Sequence, residues 1–180
     1  KYLNEQVQKR IIFESYDFSQ FSQQPISGYD IFLSYSLPDQ YYAKLVFQKL
    51  KEAEFTVYAD FLDNNLSRSN ITKHTAEVLA TTISKCKSLI YIHSRSAKNS
   101  KWCPWEVGLA SGLKNFRCGI LPLTEEVDSE YERQEYLTLY PIIDYATLAN
   151  SKNYIFWATE DAKNYSSLKH WIKTGELKVH

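Results

Sequence analysis

The sequence predicts an α/β domain with a central parallel sheet of about five strands and helices on both faces. Short runs rich in Ile, Leu, Val, Tyr and Phe recur at 29–35, 55–58, 88–92 and 118–123. Between them lie stretches whose apolar residues repeat at helical spacing. Strands that alternate with helices in this way pair in parallel, because the helix supplies the crossover that a parallel neighbour needs. The chain has 180 residues, long enough to bury a proper core.

Taken in order, Leu3, Val7, Ile11 and Ile12 fit a short amphipathic helix, and 16–28, with Pro25 and Gly28, reads as an irregular linker. Residues 1–28 therefore form an extension, and 29–180 the main domain. The first strand, 29–35, leads to a helix opened by Pro38 and Asp39, with Tyr42, Ala43, Val46, Phe47, Leu50 and Ala53 as its inward stripe. A short strand at 55–58 precedes a polar loop, 59–69. Asn70 is the expected cap of the next helix, whose inward residues are Ile71, Thr75, Val78, Leu79, Thr82 and Ile83. Strands at 88–92 and 118–123 flank a helix that ends near 112–115. Residues 124–136 are acidic and read as loop. Pro141 marks 140–144 as an edge strand, and a final helix is expected over about 159–173.

Composition narrows the function. With 21 basic and 21 acidic residues and no basic run, nucleic acid is not the expected partner. No apolar stretch approaches the roughly 18–20 residues of a membrane span, and no signal peptide is visible. Three cysteines without CxxC spacing argue against a zinc cage or disulfide framework, so no metal is expected and a reducing, cytoplasmic compartment is. With no methionine and a start at Lys1, the sequence reads as trimmed at its front.

The chain is organised around Ser100, Lys101, Trp102, Cys103, Pro104, Trp105 and Glu106. Proline suits a first helical turn, so the helix is expected to start at or just before Pro104, with Glu106 in its first turn. Unpaired N–H groups and the helix dipole favour an ionised carboxylate there. Trp102 lies four residues earlier, on the same face. A carboxylate between aromatic planes suits a flat, cationic ligand; the plain alternative is a tryptophan pair closing a core beside an ordinary charge. In open parallel sheets, ligands bind beyond the carboxyl ends of the strands where strand order reverses. A flavodoxin-like order brings Ser34, Tyr35 and Ser36 to that crevice, with His93, Ser94 and the 102–106 segment.

Four of these segments resemble a Toll/interleukin receptor (TIR) domain. They are 29–36, the strand 55–58 with its following loop, 88–94, and the Ser-Lys-Trp-Cys-Pro-Trp-Glu run at 100–106. The resemblance covers 29–123 well and 124–180 loosely. It is to the stand-alone bacterial kind, Thoeris-like and serving anti-phage defence. It implies cleavage of NAD+ at the nicotinamide–ribose bond, with Glu106, four residues after Trp102, as the catalytic carboxylate. NAD+ would be a substrate, with no cofactor. The product would be ADP-ribose, a cyclic isomer or another ADP-ribose-based signal read by an effector protein. The resemblance also implies a homo-oligomer through 59–69. A non-catalytic adaptor that works by self-association is the alternative, and a nucleoside-cleaving enzyme a third reading.

Nicotinamide becomes neutral as it leaves, so no general acid is needed, and one carboxylate can stabilise the oxocarbenium-like ribosyl cation. Trp102 and Trp105 are candidates to line the nicotinamide or ribose pocket, with core packing as the other reading of Trp102. Ser34 and Tyr35 are candidates for ribose or phosphate contacts, and Arg68 and Lys101 for the pyrophosphate. Asp60 and Asp63 read as loop-shaping and His74 as a surface residue. Cys103 near His93 raises a thiol nucleophile, without an evident orienting third group.

Overall fold

The computed structural model describes residues 28–63, 72–113, 115–123, 134–148 and 151–180. The strands are β1 (Tyr29–Ser34), β2 (Val57–Tyr58), β3 (Cys86–His93), β4 (Arg117–Pro122), β5 (Ile142–Thr147), β6 (Tyr154–Thr159), β7 (Asn164–Ser167) and β8 (Lys178–Val179). The helices are α1 (Gln40–Glu52), α2 (Lys73–Ser84), α3 (Trp102–Ser111) and α4 (Leu168–Thr174), with short 3-10 turns at Leu37–Asp39, Asp60–Leu62, Ser96–Asn99 and Glu135–Leu139.

The sheet runs β2-β1-β3-β4-β5-β6-β7-β8. From β2 to β5 every pairing is parallel, which is the expected five-stranded doubly wound core. From β5 to β8 every pairing is antiparallel, an extension not expected from the sequence.

Alternation along β1 sets the two faces. Ile31, Leu33 and Tyr35 join Val46, Phe47 and Leu50 of α1 and Leu168, Trp171 and Ile172 of α4 in one cluster. Phe32 joins Leu79 and Ile83 of α2 and Cys103, Val107 and Ala110 of α3 in the other. Helices therefore cover both faces, as predicted.

Three expectations change. The helix expected over 159–173 is strand β6, a turn, strand β7 and only then α4. Asp161 makes the turn: its carboxylate accepts from the Lys163 and Asn164 N–H groups at 2.7 and 2.8 Å. Such side-chain-to-backbone bonding competes with helix, and the Tyr-Ile-Phe-Trp run before it suits a strand. Ser167 then caps α4, and Gly175, in the left-handed region at φ 77°, ends it.

Secondly, the strand expected at the sheet edge is β5, which is interior, between β4 and β6. Pro141 precedes it, and its carbonyl accepts from Ile120 N–H at 2.9 Å, so no ladder donor is lost. Thirdly, α2 is capped by Thr72 through a reciprocal box with Thr75. The expected cap Asn70, the expected helix within 1–15 and most of the linker lie outside the described residues.

Candidate active site

Strand order reverses between β1, which pairs with both β2 and β3, and β3, which continues to β4. At that point Ser34 is the last residue of β1 and His93 the last of β3. Helix α3 leaves the connection that follows β3 and returns along the face that Phe32 and Ser34 share.

The helix begins at Trp102, two residues before Pro104, because Ser100 Oγ accepts from Cys103 N–H at 3.2 Å and serves the first turn. Pro104 is still within that turn, where its missing donor costs nothing. Glu106 consequently falls just beyond the first turn, which holds no acidic residue. Its place is set instead by the inward stripe Cys103, Glu106, Val107 and Ala110, buried at helical spacing. A carboxylate occupies a position where the pattern asks for an aliphatic side chain.

Ser34 Oγ donates to Glu106 Oε2 at 2.5 Å, and both residues are fully buried. That length is typical of a hydroxyl bonded to a carboxylate. On the same helix, Trp102 and Trp105 meet edge to face at 5.3 Å and 77°. Trp102 is half-buried, whereas Trp105 is 37% exposed and presents ring surface to solvent. Ser34 and Glu106 are thus brought together, and Trp102 and Trp105 pair on the same helix.

The other sequence candidates are not. Tyr35, 1% exposed, points to the opposite face of the sheet and packs with Phe61 at 6.0 Å, as residue i+1 of an extended strand must. It is a core residue rather than a crevice residue. Lys101 is exposed just ahead of α3. Arg68 lies outside the described residues, as does most of the 59–69 loop. A hollow of about 850 Å³ opens at the other end of the strands, lined in part by Asp30, Lys87, Arg117 and Lys169. Its charges already serve the protein: Lys87 bonds Asp30 at 2.7 Å, and Arg117 donates to the Asn115 and Thr174 carbonyls.

Sequence reasoning missed a second buried carboxylate near the crevice. Asp39 accepts hydrogen bonds from Ser36 and, at 2.6 Å, from Ser94. The Ser-x-x-Asp spacing at 36–39 is the available signal, though in the sequence it reads equally as a helix opening.

His93 is buried and stands edge-on to Tyr91 at 5.5 Å. Burial pushes its pKa below the usual 6.5; the Lys98 charge adds to this, while a hydrogen bond with Gln134 and the Asp39 charge oppose it. The folded chain therefore binds fewer protons here than the unfolded chain. This contribution to stability is complete above about pH 6.5 and is lost as pH falls below it. The melting temperature is expected to drop between pH 7 and 5, and less steeply in His93→Gln; equal slopes would refute this assignment.

The thiols lie in the core. Cys103 is buried in the α2–α3 cluster, with its sulfur accepting from Ser100 Oγ at 3.2 Å. Burial pushes Cys86 up to about 12 and Cys118 up to about 11. None of the three cysteines is in a disulfide, and all are buried. A disulfide reagent is expected to titrate none of them in the native protein and all three after denaturation; fast labelling of native protein would contradict this burial.

Comparison with known proteins bears on the family and the fold. Residues 31–169 match the profile of the TIR domain. The chain belongs to the TIR family. A Bacillus cereus (strain MSX-D12) protein named as a probable 3′ cyclic ADP-D-ribose synthase, ThsB′, is 35% identical over 147 residues, 81% of this TIR chain and 76% of that protein. A Cytobacillus dafuensis protein, TIR2, provisionally named a cyclic ADP-D-ribose synthase, is 24% identical over 57% of this chain and 27% of its own length. Among solved structures, the TIR domain of the Toll-related receptor TRR-2 of Hydra magnipapillata aligns with a TM-score of 0.45 at 16% identity, over 61% of this chain and 78% of that one. In this TIR domain no helix among the described residues is long and apolar enough to cross a membrane.

Proposed function

We propose that this TIR domain cleaves NAD+ at the nicotinamide–ribose bond and closes the remainder into a cyclic ADP-ribose isomer. The observation that carries the reading is Glu106, a carboxylate on the sheet-facing stripe of α3, bonded to Ser34 at the strand-order reversal. Burying a carboxylate is costly, and sites that need charge are where such costs are met. The relatives named for cyclic ADP-ribose synthesis support the substrate class.

In this reading nicotinamide leaves with the electron pair of the C–N bond, and positive charge grows on the ribosyl carbon and ring oxygen. Glu106 offsets that charge, as a preorganised group aimed at where charge develops. Ser34 holds the carboxylate in one orientation until a ribose hydroxyl takes its place as donor. The exchange is hydroxyl for hydroxyl, so the acceptor is never left without a partner. Glu106 has no exposed surface, so in this reading substrate entry includes a rearrangement that uncovers it. Trp105, with its exposed ring, is the group assigned to receive the flat nicotinamide, and Trp102 braces it edge-on. A hydroxyl or ring nitrogen of the adenosine half then attacks, the new bond closes the ring, and a proton is released to solvent where a hydroxyl was the nucleophile. Water in its place would give ADP-ribose.

The proposal includes Lys101 and Arg68 on the pyrophosphate, a homo-oligomer through 59–69, a cytoplasmic setting, and an effector that reads the product in antiviral defence. Incubation with NAD+, with products separated by chromatography and identified by mass, tests the core of it. Nicotinamide and a product of cyclic ADP-ribose mass are expected, and the rate is expected to rise faster than linearly with protein concentration. Intact NAD+ after incubation at high protein concentration would instead favour a scaffold acting by self-association.

A further inference from the structure

We propose that Asp39 is a positioning residue for the Ser34–Glu106 pair, holding donor and acceptor in register from outside the crevice. The inference rests on the catalytic reading of Glu106. Asp39 is buried at the junction of the Leu37–Asp39 turn and α1. A single carboxylate oxygen, Oδ2, accepts the hydroxyls of both Ser36 and Ser94.

Those two serines belong to the two segments that build the site. Ser36 follows Ser34 by two residues along extended backbone, so the two hydroxyls point to the same side. One is given to Glu106 and the other to Asp39. Ser94 follows His93, the last residue of β3, and its Oγ also accepts from Ala97 N–H at 3.0 Å. That bond shapes the Ser96–Asn99 turn, which delivers the chain to Ser100, the residue that serves the first turn of α3. Asp39 therefore ties the strand end that supplies the donor to the turn that launches the helix supplying the acceptor. Beyond the β1–β3 ladder, which ends at the Ser34–Tyr91 pair, this oxygen bridges the two connections.

The chemistry makes that tie matter. A carboxylate must sit within hydrogen-bonding reach of a ribose whose charge is developing, and a misplacement of about 1 Å can cost on the order of a hundredfold in rate. An amide at position 39 keeps the shape but accepts hydroxyls less strongly than a carboxylate. A methyl group there cannot accept at all.

Steady-state nicotinamide release from NAD+, with melting temperature measured in parallel, tests the assignment. Asp39→Asn is expected to lower kcat about tenfold with KM nearly unchanged, and Asp39→Ala to lower it on the order of a hundredfold. In a Ser34→Ala background, where the Ser34 hydroxyl that Asp39 would position is already gone, Asp39→Asn is expected to cost less than about twofold more. A residue that only helps the chain fold would lower activity by the same factor in both backgrounds. Ser94→Ala, which removes one tie and keeps the carboxylate, is the second variant and is expected to lower kcat by a smaller factor, again at constant KM. Wild-type kcat in both Asp39→Asn and Ser94→Ala would overturn the positioning role and leave the catalytic reading of Glu106 standing. Wild-type protein that releases no nicotinamide would overturn both.

Discussion

Glu106→Gln is expected to lower nicotinamide release at least about a hundredfold while leaving the melting temperature unchanged or raised. The amide has the shape of the acid, and its carbonyl oxygen can still accept from Ser34 Oγ. What it lacks is negative charge, which is the property the ribosyl cation requires. The stability expectation has the opposite sign for the same reason. Glu106 is fully buried among Cys103, Val107 and Ala110, where a charge is expensive to hold. A side chain kept for chemistry should become cheaper to bury when its charge is removed. Nicotinamide quantified by chromatography, beside a thermal melt, checks both parts. Activity within about threefold of wild type would remove the electrostatic role, and a large fall in melting temperature would recast Glu106 as structural.

Trp171→Ala is expected to destabilise the fold by about 3–5 kcal/mol, the usual range for removing a large buried aromatic. Trp171 is buried in α4, within the cluster that contains Ile143, Phe156 and Leu168. It fills space left open on β4, where a Cβ added at Gly119 would lie 2.7 Å from Ile143 and 3.4 Å from Trp171. A bare backbone in the middle of the sheet therefore lets Ile143 and Trp171 come close to the ladder. The same contact joins the antiparallel extension to the parallel core. Equilibrium denaturation in urea measures the change. A loss below about 1 kcal/mol would show that α4 and β6–β8 do not unfold with the rest.

The legibility of this fold followed burial. Strands β1, β3 and β4 lie in the sheet interior with both faces covered, so they appear as continuous apolar runs, and the sequence placed each within two residues. Strands β6 and β7 are more exposed, and the short polar turn at Asp161 does not break a helical spacing that ends on Leu168, Trp171 and Ile172. Local pattern there supports helix as well as strand; pairing with β5, a contact remote from the turn, chooses strand. Pro141 misled for a similar reason. A proline signals an edge only when its own position needs a donor, and here it stops one residue short of the strand.

The sequence alone determined that this is an α/β domain of five parallel strands and that the run from Ser100 to Glu106 opens a helix after a buried strand. Those follow from spacing and residue type, which are local; Glu106 with Trp102 as the candidate chemistry is what the resemblance to TIR domains adds. Only the tertiary structure decided that Ser34 rather than Tyr35 meets Glu106, that Glu106 faces the sheet rather than capping the helix end, and that Asp39 gathers Ser36 and Ser94. Adjacent strand residues point to opposite faces, and nothing in their order says which face the helix after β3 will cover. That was settled by the strand order β2-β1-β3-β4, which lays α3 against the face carrying Ser34.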